Sequence, residues 1–522
     1  MNNFINLFLV KPYDFKNLLF ETKNTSISRE RYIDLLKVVS ILTVIFSTHL
    51  FLSFQTSGYE ILIRNESSTN ISMSIASWYL NGLAVFFFCN GFSNSLAWYS
   101  NIGRDGSVWE FLANRINSIL GPMIVLIIFG SLTIHYSISN ELIPEYLVTS
   151  VDSLHPTTEF LLWPLWLVSI YLVVLMFSPI TAYFHKKQSW FFLLILFSMF
   201  IFIDIFTFSS GYISIKYLNY LFFWLFIHQL GYFYADGSLQ EIKLSLYFIV
   251  VLVSYISLFF LSTDYSSLTS ISNFRLIMNT NEDPPTLIML LSSLGLISLA
   301  LLFRNIGEKL LKNKYIWSFV SLLNAHLYTY FLWHTFFFVF IYFLNIDDYF
   351  FILYFSLFIV IMGSAERNSF RLSSSLVKRI SPEQPWPLPI KARFSLNNVL
   401  LSWYGSLLIL LSTVQITLGG VGTFGFFIDR QLFFLHGNTF EAFLRLIVGM
   451  ILLNITIRSS NYKDISLISG SFLLITLITS RIYLDLDLHY FEFSFTFLGL
   501  LLCVYSYILN RNNKARKRVI SK

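Results

Sequence analysis

A few ionisable side chains stand inside long apolar runs of this sequence, where each of them is costly to bury. Lys37 and His49 lie in the first apolar run, Asp204 in the fifth, His228 in the sixth and His334 in the ninth. Because a charged or imidazole group within a bilayer needs a partner or a polar path, such residues are candidates for function. A buried imidazole can take a proton from a hydroxyl, and a buried ammonium can hold an anionic group.

The apolar runs are numerous enough to indicate a membrane protein. The 522-residue chain is 55% hydrophobic and 12% charged, whereas soluble domains carry about 25% charged residues. Its mean hydropathy is +0.65. This composition excludes a secreted disulfide scaffold, a disordered chain and a nucleic-acid-binding module. Cys89 and Cys503 both lie in apolar runs and are interpreted as inert packing residues.

Fourteen of these runs are long enough to cross a bilayer as a helix, which takes about 20 residues. The predicted fold is therefore an all-α, polytopic transmembrane helix bundle. The runs are continuous rather than alternating, which excludes a barrel of strands. The predicted spans are residues 32–53, 75–99, 117–134, 160–181, 190–208, 215–235, 244–262, 285–303, 316–343, 349–365, 397–418, 439–457, 464–480 and 491–510.

Lysine and arginine are distributed unevenly between the two sides of the predicted bundle. With the N-terminus in the cytoplasm, 28 of the 35 basic residues fall on cytoplasmic segments, 5 on the opposite side and 2 within spans. This is the positive-inside pattern, and it predicts cytoplasmic N- and C-termini with an even number of spans. The basic balance needs no nucleic acid as partner, and we expect contact with anionic membrane lipids instead.

A polar, proline-rich stretch divides the chain into two groups of spans. Residues 366–396 carry six basic residues and four prolines, and they predict a cytoplasmic linker. Before it we place a cytoplasmic leader at residues 1–31 and a ten-span unit at residues 32–365. After it we place a four-span unit at residues 397–510 and a basic cytoplasmic tail at residues 511–522.

The candidate residues fall into two layers when depth is counted at about 1.5 Å per helical residue. His49, Asp204 and His334 lie in the outer half of the predicted membrane, and Lys37 and His228 lie in the inner half. Two polar layers on opposite sides indicate a path across the bilayer rather than a single pocket.

Seven short motifs follow one another within the ten-span unit: Asp34–Leu42 with His49, Val85–Asn94, Arg115 with Pro122, Pro164–Val168 with Tyr171, Trp224–Gly237, Asn281 with Pro284–Thr286, and Tyr330–His334. In this order they resemble the integral-membrane acyltransferase 3 family. The resemblance covers about residues 30–365, and the last four spans lie outside it.

The spacing of the first motif departs from that family. Eleven residues separate Lys37 from His49, where the family pattern has ten, so Thr48 stands where the pattern has histidine. On a regular helix a step of eleven positions returns to within roughly 20° of the same face, but a step of twelve falls about 120° away. Three explanations stay open: a π-bulge absorbs the extra residue, the two groups act at separate sites, or the chain has lost activity.

The resemblance implies an enzyme of the cell membrane that transfers an acyl group, other than an amino-acyl group, from a cytoplasmic donor. The expected donor substrate is acetyl-CoA or another acyl-CoA, with no tightly bound cofactor, and the expected acceptor is a hydroxyl of an extracytoplasmic glycan or lipid-linked sugar. Direct transfer and a transient acyl-histidine both stay open.

Within this expectation, His49 is the general base, His334 orients the acceptor or assists proton transfer, and Asp204 is a supporting carboxylate. The residues expected to bind the donor are Lys37, Arg115, Asn90 and His228.

A transporter or flippase for a glycan or lipid is the second hypothesis, because an even number of spans suits it equally well. Such a protein would show broken helices interrupted by Gly or Pro, and the sequence shows few. A glycan polymerase ranks third, since the outer loops hold only 5 basic residues. No metal site is predicted, because Asp485, Asp487 and His489 are interpreted as part of an exposed polar turn.

Overall fold

The structure is a computed structural model, and the residues it describes are mostly helical, as the sequence predicts. The described residues are 29–57, 60–65, 71–112, 114–116, 119, 122–123, 125–126, 157–210, 215, 218–264, 285–344, 396–419, 431–432, 435–436, 442, 445–449, 452–453, 470 and 497–505.

The chain forms two compact units. The first comprises residues 1–100, 150–160 and 173–365, and the second comprises residues 101–149, 161–172 and 366–522. The predicted leader, linker and basic tail lie almost entirely outside the described residues, as does the predicted span at 349–365.

Eleven helices carry the described part of the fold. The first four are α1 (Arg31–Phe51), α2 (Ile71–Tyr79), α3 (Gly82–Ile102) and α4 (Thr157–Ser210). They are followed by α5 (Asn219–Ala235), α6 (Leu244–Asp264), α7 (Leu287–Leu302), α8 (Arg304–Leu310), α9 (Lys314–Ala325), α10 (Leu327–Leu344) and, in the second unit, α11 (Leu396–Gly419).

Several of these helices coincide with predicted spans to within a few residues. By length and hydropathy, the described residues contain three helical segments able to cross a membrane: Arg31–Leu50, Ile75–Ile102 and Leu167–Thr207. A fourth is added if α7 and α8, bent by 52°, count as one span. The total of fourteen stays a prediction, because much of the remaining apolar sequence lies outside the described residues.

Two predicted spans are interrupted: the one at 75–99 still lies within a single segment able to cross a membrane, whereas the one at 316–343 is not a single helix. The predicted span at 316–343 divides into α9 and α10 at His326, whose backbone leaves the helical region (φ −113°, ψ 13°). His326 Nδ1 lies 3.2 Å from the Leu322 carbonyl oxygen of the preceding turn. The predicted span at 75–99 begins as α2 and restarts as α3 after a two-residue interruption.

Two short antiparallel hairpins were not predicted. Strand β1 (Leu52–Ser57) pairs with β2 (Glu60–Asn65), so that Leu52 is opposite Asn65. Strand β1 begins with alternating apolar and polar residues, β2 contains three apolar residues in a row, and only two residues join the strands, which is a common hairpin connection. In the second unit, β3 (Gln431–Leu432) pairs with β4 (Leu435–His436).

Helix α4 is two helices joined at a reversal. Its 54 residues would extend about 80 Å as one rod, but the backbone leaves the helical region at Gln188 (φ −150°, ψ 62°). Before this point, Ser178 and His185 bond to successive turns near the C-terminus of α5. After it, Trp190 contacts Phe233 near the end of α5. Later aromatic residues of α4 contact rings that lie progressively nearer the start of α5. The chain therefore turns back here, between the spans predicted at 160–181 and 190–208.

Helices α3 and α5 cross with their backbones in contact. A methyl group placed on Gly91 would lie 1.9 Å from the His228 carbonyl oxygen, and one placed on Gly231 would lie 2.2 Å from the Phe88 carbonyl oxygen. Small residues at a crossing are typical of membrane helices, because backbones can then approach closely. The two helices run in the same direction, since Phe87 stacks near Trp224 and Phe92 meets Tyr234.

Helix α1 packs against α3 in the opposite direction. A methyl group on Gly82 would lie 2.1 Å from the Ser40 carbonyl oxygen, and Lys37, one turn earlier on α1, bonds to Ser93 farther along α3. These directions agree with the alternation that the sequence predicts for spans 1, 2 and 6.

The second unit has a small-residue crossing of its own. A methyl group on Gly449 would lie 2.8 Å from the Gly405 carbonyl oxygen. Around this contact a buried cluster forms from Leu401, Tyr404, Leu408, Val448, Leu452 and Cys503.

Three polar side chains tie the reversal of α4 to the end of α5. Gln229 Nε2 lies 2.8 Å from His185 Nδ1, and His185 Nε2 lies 3.0 Å from Asp236 Oδ2. Because a carboxylate accepts only, Nε2 carries the proton and Nδ1 accepts from the amide. His185 lies between two predicted spans, beside Lys186. Burial lowers the pKa of His185, and the nearby Asp236 carboxylate offsets that shift only in part.

We predict that Gly231→Ala destabilises the protein by about 3 kcal/mol, because the added methyl group overlaps the Phe88 carbonyl and forces α3 and α5 apart. Thermal unfolding of the detergent-solubilised protein measures the change. Gly470→Ala is the control, since among the described residues its methyl group would meet Cys503 and Leu500 side-chain atoms at the ordinary distances of 3.5 and 3.6 Å. Equal melting temperatures for the two variants would contradict the crossing.

We predict that acidification from about pH 7.5 to 5.5 lowers stability through His185. The unfolded chain takes up a proton near the ordinary pKa of 6.5, whereas folded His185, with its lowered pKa, resists protonation, so the unfolded state is favoured as pH falls. His185→Gln should therefore show a shallower loss of melting temperature over this range than the wild type. Identical pH slopes would show that His185 does not contribute.

Candidate functional site

Two buried polar side chains meet where α1 and α10 lie side by side. Thr48 Oγ1 of α1 is 3.5 Å from His334 Nε2 of α10, and both residues are 1% exposed. Nearer the start of α1, Asn324 Nδ2 of α9 donates to Asp34 Oδ1 at 3.0 Å. Helix α1 therefore runs parallel to α9 and α10, as the sequence predicts for spans 1 and 9.

The ring of His334 is held in one tautomer by its own helix. Nδ1 lies 2.5 Å from the Phe331 carbonyl oxygen. A carbonyl oxygen can only accept, so Nδ1 carries the proton of the neutral imidazole. The lone pair is then on Nε2, the atom that faces Thr48. A base whose far nitrogen is fixed by a third group is the arrangement that activates hydroxyl nucleophiles.

His49 lies at the same level of the bundle. Its half-buried ring stands edge-on to Phe338, with 5.3 Å between ring centroids. Phe338 follows His334 by one turn of α10, and His49 follows Thr48 directly. The structure thus brings together the two histidines that the sequence placed in the outer layer.

Helix α1 is a regular α-helix from Arg31 to Phe51. No π-bulge absorbs the extra residue between Lys37 and His49, so that explanation of the unusual spacing is wrong. Thr48 lies on the same face of α1 as Lys37, and His49 lies about 120° away from Lys37 around the helix. The face that contacts α10 therefore presents a hydroxyl where the family pattern has an imidazole.

Lys37 is partly buried between α1 and α3. Its Nζ donates to Ser93 Oγ at 2.6 Å, and Ser93 in turn donates to the Cys89 carbonyl oxygen at 3.0 Å. The ammonium is therefore directed toward α3 and held there by a hydroxyl rather than by a carboxylate in this contact.

Asn90 lies on α3, the helix to which this ammonium bonds, and His228 lies on α5, which crosses α3. Asn94, the residue after Ser93, has Nδ2 at 3.1 Å from His228 Nε2, and both are buried. Asn90 lies one turn before Asn94, and its Nδ2 has no hydrogen-bond partner among the described residues. Three of the four expected donor-binding residues thus lie on adjoining helices.

The fourth, Arg115, belongs to the second unit. It lies in a helical stretch that begins with a capping box: Ser107 N–H donates to Glu110 Oε2 at 3.1 Å, and Glu110 N–H donates to Ser107 Oγ at 3.2 Å. Its expected role in binding the donor stays a prediction.

Asp204 caps a helix. Its Oδ2 accepts a hydrogen bond from the Leu287 N–H at 3.1 Å, at the first residue of α7. A carboxylate is favourable there because the first amides of a helix lack intrahelical partners and carry partial positive charge. Asp204 therefore has a structural task that its sequence position did not indicate.

The N-terminal end of α1 is pinned by aromatic and ionic contacts. The guanidinium groups of Arg29 and Arg31 lie 5.7 and 4.9 Å from the ring centroid of Trp317 on α9. Arg29 Nε also pairs with Asp34 Oδ2 at 2.5 Å. These contacts hold the start of α1 against α9.

Sequence reasoning missed the partner side chains Ser93, Asn94 and His185. Ser93 and Asn94 belong to a motif that was recognised, and Asn94 follows Asn90 by one helical turn, which was the available signal. His185 precedes Lys186 and Lys187, between the spans predicted at 160–181 and 190–208.

No cluster of three or more potential metal-ligating residues occurs among the described residues. Asp485, Asp487 and His489 lie outside them.

Comparison with known sequences adds a family to this geometry. Residues 30–365 match the sequence model of a family described as an acyltransferase domain, acyltransferase 3. No curated protein and no solved structure matched the chain significantly. The matched residues include α1, α3, α5 and α10, and they form more than half of the chain. The chain therefore belongs to the acyltransferase 3 family, and it is an acyltransferase and a multi-pass membrane protein.

Proposed function

We propose that this protein transfers an acetyl group from cytoplasmic acetyl-CoA to a hydroxyl of an extracytoplasmic glycan or lipid-linked sugar, in the cell membrane. One observation carries the proposal: α1 links an ammonium at Lys37 to the layer that holds Thr48, His49 and His334. Thr48 lies eleven positions after Lys37 on α1, which is about 16 Å along the helix axis. A donor held at the inner side can thus present its thioester to groups nearer the outer side.

The outer layer supplies the acid–base chemistry. A sugar hydroxyl is a poor nucleophile, so its attack on a thioester needs a base within hydrogen-bond reach. His49 takes the proton, and His334, fixed by the Phe331 carbonyl, orients the acceptor and assists proton transfer. Asp204 acts as a positioning residue, because it anchors the first turn of α7.

The residues of the inner layer bind the donor. The phosphates of acyl-CoA are anionic, and Lys37 is the cation assigned to them. Asn90 and His228 are assigned to the path of the acyl-carrying arm, and the Asn90 amide, which has no hydrogen-bond partner among the described residues, gives that arm a donor to bond. The basic inner side also attracts anionic membrane lipids.

A transporter or flippase is the second candidate, and the broken helices favour it. Transporters use interrupted helices to form substrate sites. The described residues contain three such interruptions: the gap between α2 and α3, the 52° bend between α7 and α8, and the break at His326. Transport and acylation separate in one assay, because only an acyltransferase leaves an esterified product.

We predict that the purified protein transfers label from radiolabelled acetyl-CoA to a cell-envelope extract, and that His49→Ala lowers the rate by about 10²–10⁴, the range typical of losing a general base. His326→Ala is the matched control, since that imidazole bonds to the Leu322 carbonyl within its own segment and has no role in the mechanism. Full activity of His49→Ala would remove His49 from the role of base. Absence of any esterified product with the wild type would favour the transporter.

We predict that Lys37→Met raises KM for acetyl-CoA by about 10- to 100-fold with little change in kcat, because a charge-assisted contact to the donor contributes about 1.5–3 kcal/mol equally to ground and transition states. Steady-state kinetics with varied acetyl-CoA measure this. Lys309→Met is the control, since Lys309 is an exposed cation on α8 and reports general attraction of the anionic donor. The same KM in both variants would place the donor elsewhere.

A further inference from the structure

We propose that Thr48 is a nucleophile that carries the acyl group as an ester between donor and acceptor, with His334 as its base. This inference rests on the proposed function and adds a covalent intermediate to it. The geometry behind it is the buried contact of 3.5 Å between Thr48 Oγ1 and His334 Nε2.

The first argument is the direction in which the imidazole faces. His334 Nδ1 is held by the Phe331 carbonyl oxygen at 2.5 Å, which leaves Nε2 as the accepting nitrogen. That nitrogen faces a hydroxyl. A hydroxyl, an accepting ring nitrogen and a third group that fixes the ring are the three parts of a nucleophile–base pair, and such pairs are often slightly long without substrate.

The second argument is that the Thr48 hydroxyl can donate to either of two acceptors. Its Oγ1 also lies 2.9 Å from the Val44 carbonyl oxygen, one turn back on α1. The hydroxyl has one proton, which can point to Val44 or to His334 while the oxygen stays in place. Rotation of this hydrogen alone therefore converts a back-bonded threonine into one hydrogen-bonded to a base.

The third argument is the helical position. Thr48 is on the face of α1 that also carries Lys37, whereas His49 is about 120° away from Lys37. A thioester arm that runs along this face from the ammonium reaches the Thr48 hydroxyl before the imidazole of His49. Two neighbouring residues would then have separate tasks: Thr48 attacks the donor thioester, and His49 takes the proton of the acceptor hydroxyl.

The chemistry balances in two steps. Thr48 Oγ1 attacks the thioester carbonyl while His334 Nε2 takes its proton; the C–S bond breaks and the proton passes to the leaving sulfur, which gives free CoA thiol. The acceptor hydroxyl then attacks the threonine ester and gives its proton to His49. As the bond between the acyl carbon and Oγ1 breaks, His49 returns that proton to Oγ1, and both histidines are neutral again.

The test incubates the purified full-length protein with radiolabelled acetyl-CoA in the absence of acceptor, followed by denaturation, digestion and mass spectrometry of the peptide that contains Thr48. We expect a stable ester on Thr48 in the wild type and in Thr48→Ser, and only background label in Thr48→Val. His334→Ala should slow labelling by about 10²–10⁴, as for loss of a general base.

Thr43→Val is the matched control, because Thr43 has the same back-bond on the same helix, from Oγ1 to the Val39 carbonyl oxygen at 2.7 Å, and no part in the mechanism. It should label like the wild type. Thermal unfolding of all variants checks that they are folded, and Thr48→Ser provides rescue at the site itself.

The outcomes separate the two proposals. Wild-type protein that acetylates the envelope acceptor without becoming labelled, or Thr48→Val that transfers at the wild-type rate, overturns the Thr48 intermediate and leaves the proposed function standing. Label that persists in Thr48→Val but is lost in His334→Ala places the acyl group on the imidazole and also overturns it. Wild-type protein that neither becomes labelled nor acetylates any acceptor overturns both.

Discussion

The backbones of α3 and α5 touch at Gly91 and Gly231, and the arrangement of buried polar side chains depends on this contact. Because no side chain separates the two helices there, the residues that flank the crossing are brought within hydrogen-bond reach of each other. Asn94 meets His228 beside it, and the far end of α5 receives the reversal of α4 through Gln229 and its partners. In lipid there is no hydrophobic force between helices, so close backbone packing and such interhelical bonds must supply the attraction.

The regular geometry of α1 has a comparable influence on the site. A helix without a bulge carries every residue to a defined angle, and one residue added to a spacing rotates the later side chain by about 100°. The hydroxyl of Thr48 and the imidazole of His49 therefore exchange the faces that the family pattern would assign to them. The contact of Thr48 with His334 is a direct consequence of that rotation.

Most buried hydroxyls in the described helices are satisfied within their own helix, by bonding to the carbonyl one turn back. Ser169, Ser178, Thr207, Ser293 and Thr413 all show this bond. It removes the cost of a polar group in an apolar surrounding without calling on a neighbour. Hydroxyls and imidazoles that reach across to another helix join α1 to α10, α3 to α5, α4 to α5 and α7 to α2, and these contacts concentrate within residues 30–365. That concentration within the residues that match the family is what makes this region the candidate site.

The sequence by itself determined the class of protein, the relative directions of α1, α3, α5 and α10, and the family, because hydropathy, the alternation of spans and ordered motifs are read from local segments. It also predicted the layers of His49, His334 and Lys37, since depth is counted in residues along a helix. Only the tertiary structure decided where the helices break, before Gly82 and at His326. It alone also decided the capping role of Asp204 and the partners of Lys37 and Thr48. Each of these depends on how two helices are rotated and where they cross, and the partners are far apart in the chain: 83 residues from Asp204 to Leu287 and 286 from Thr48 to His334. No local pattern specifies a rotation of one helix relative to another, so contacts of this kind are set by packing alone.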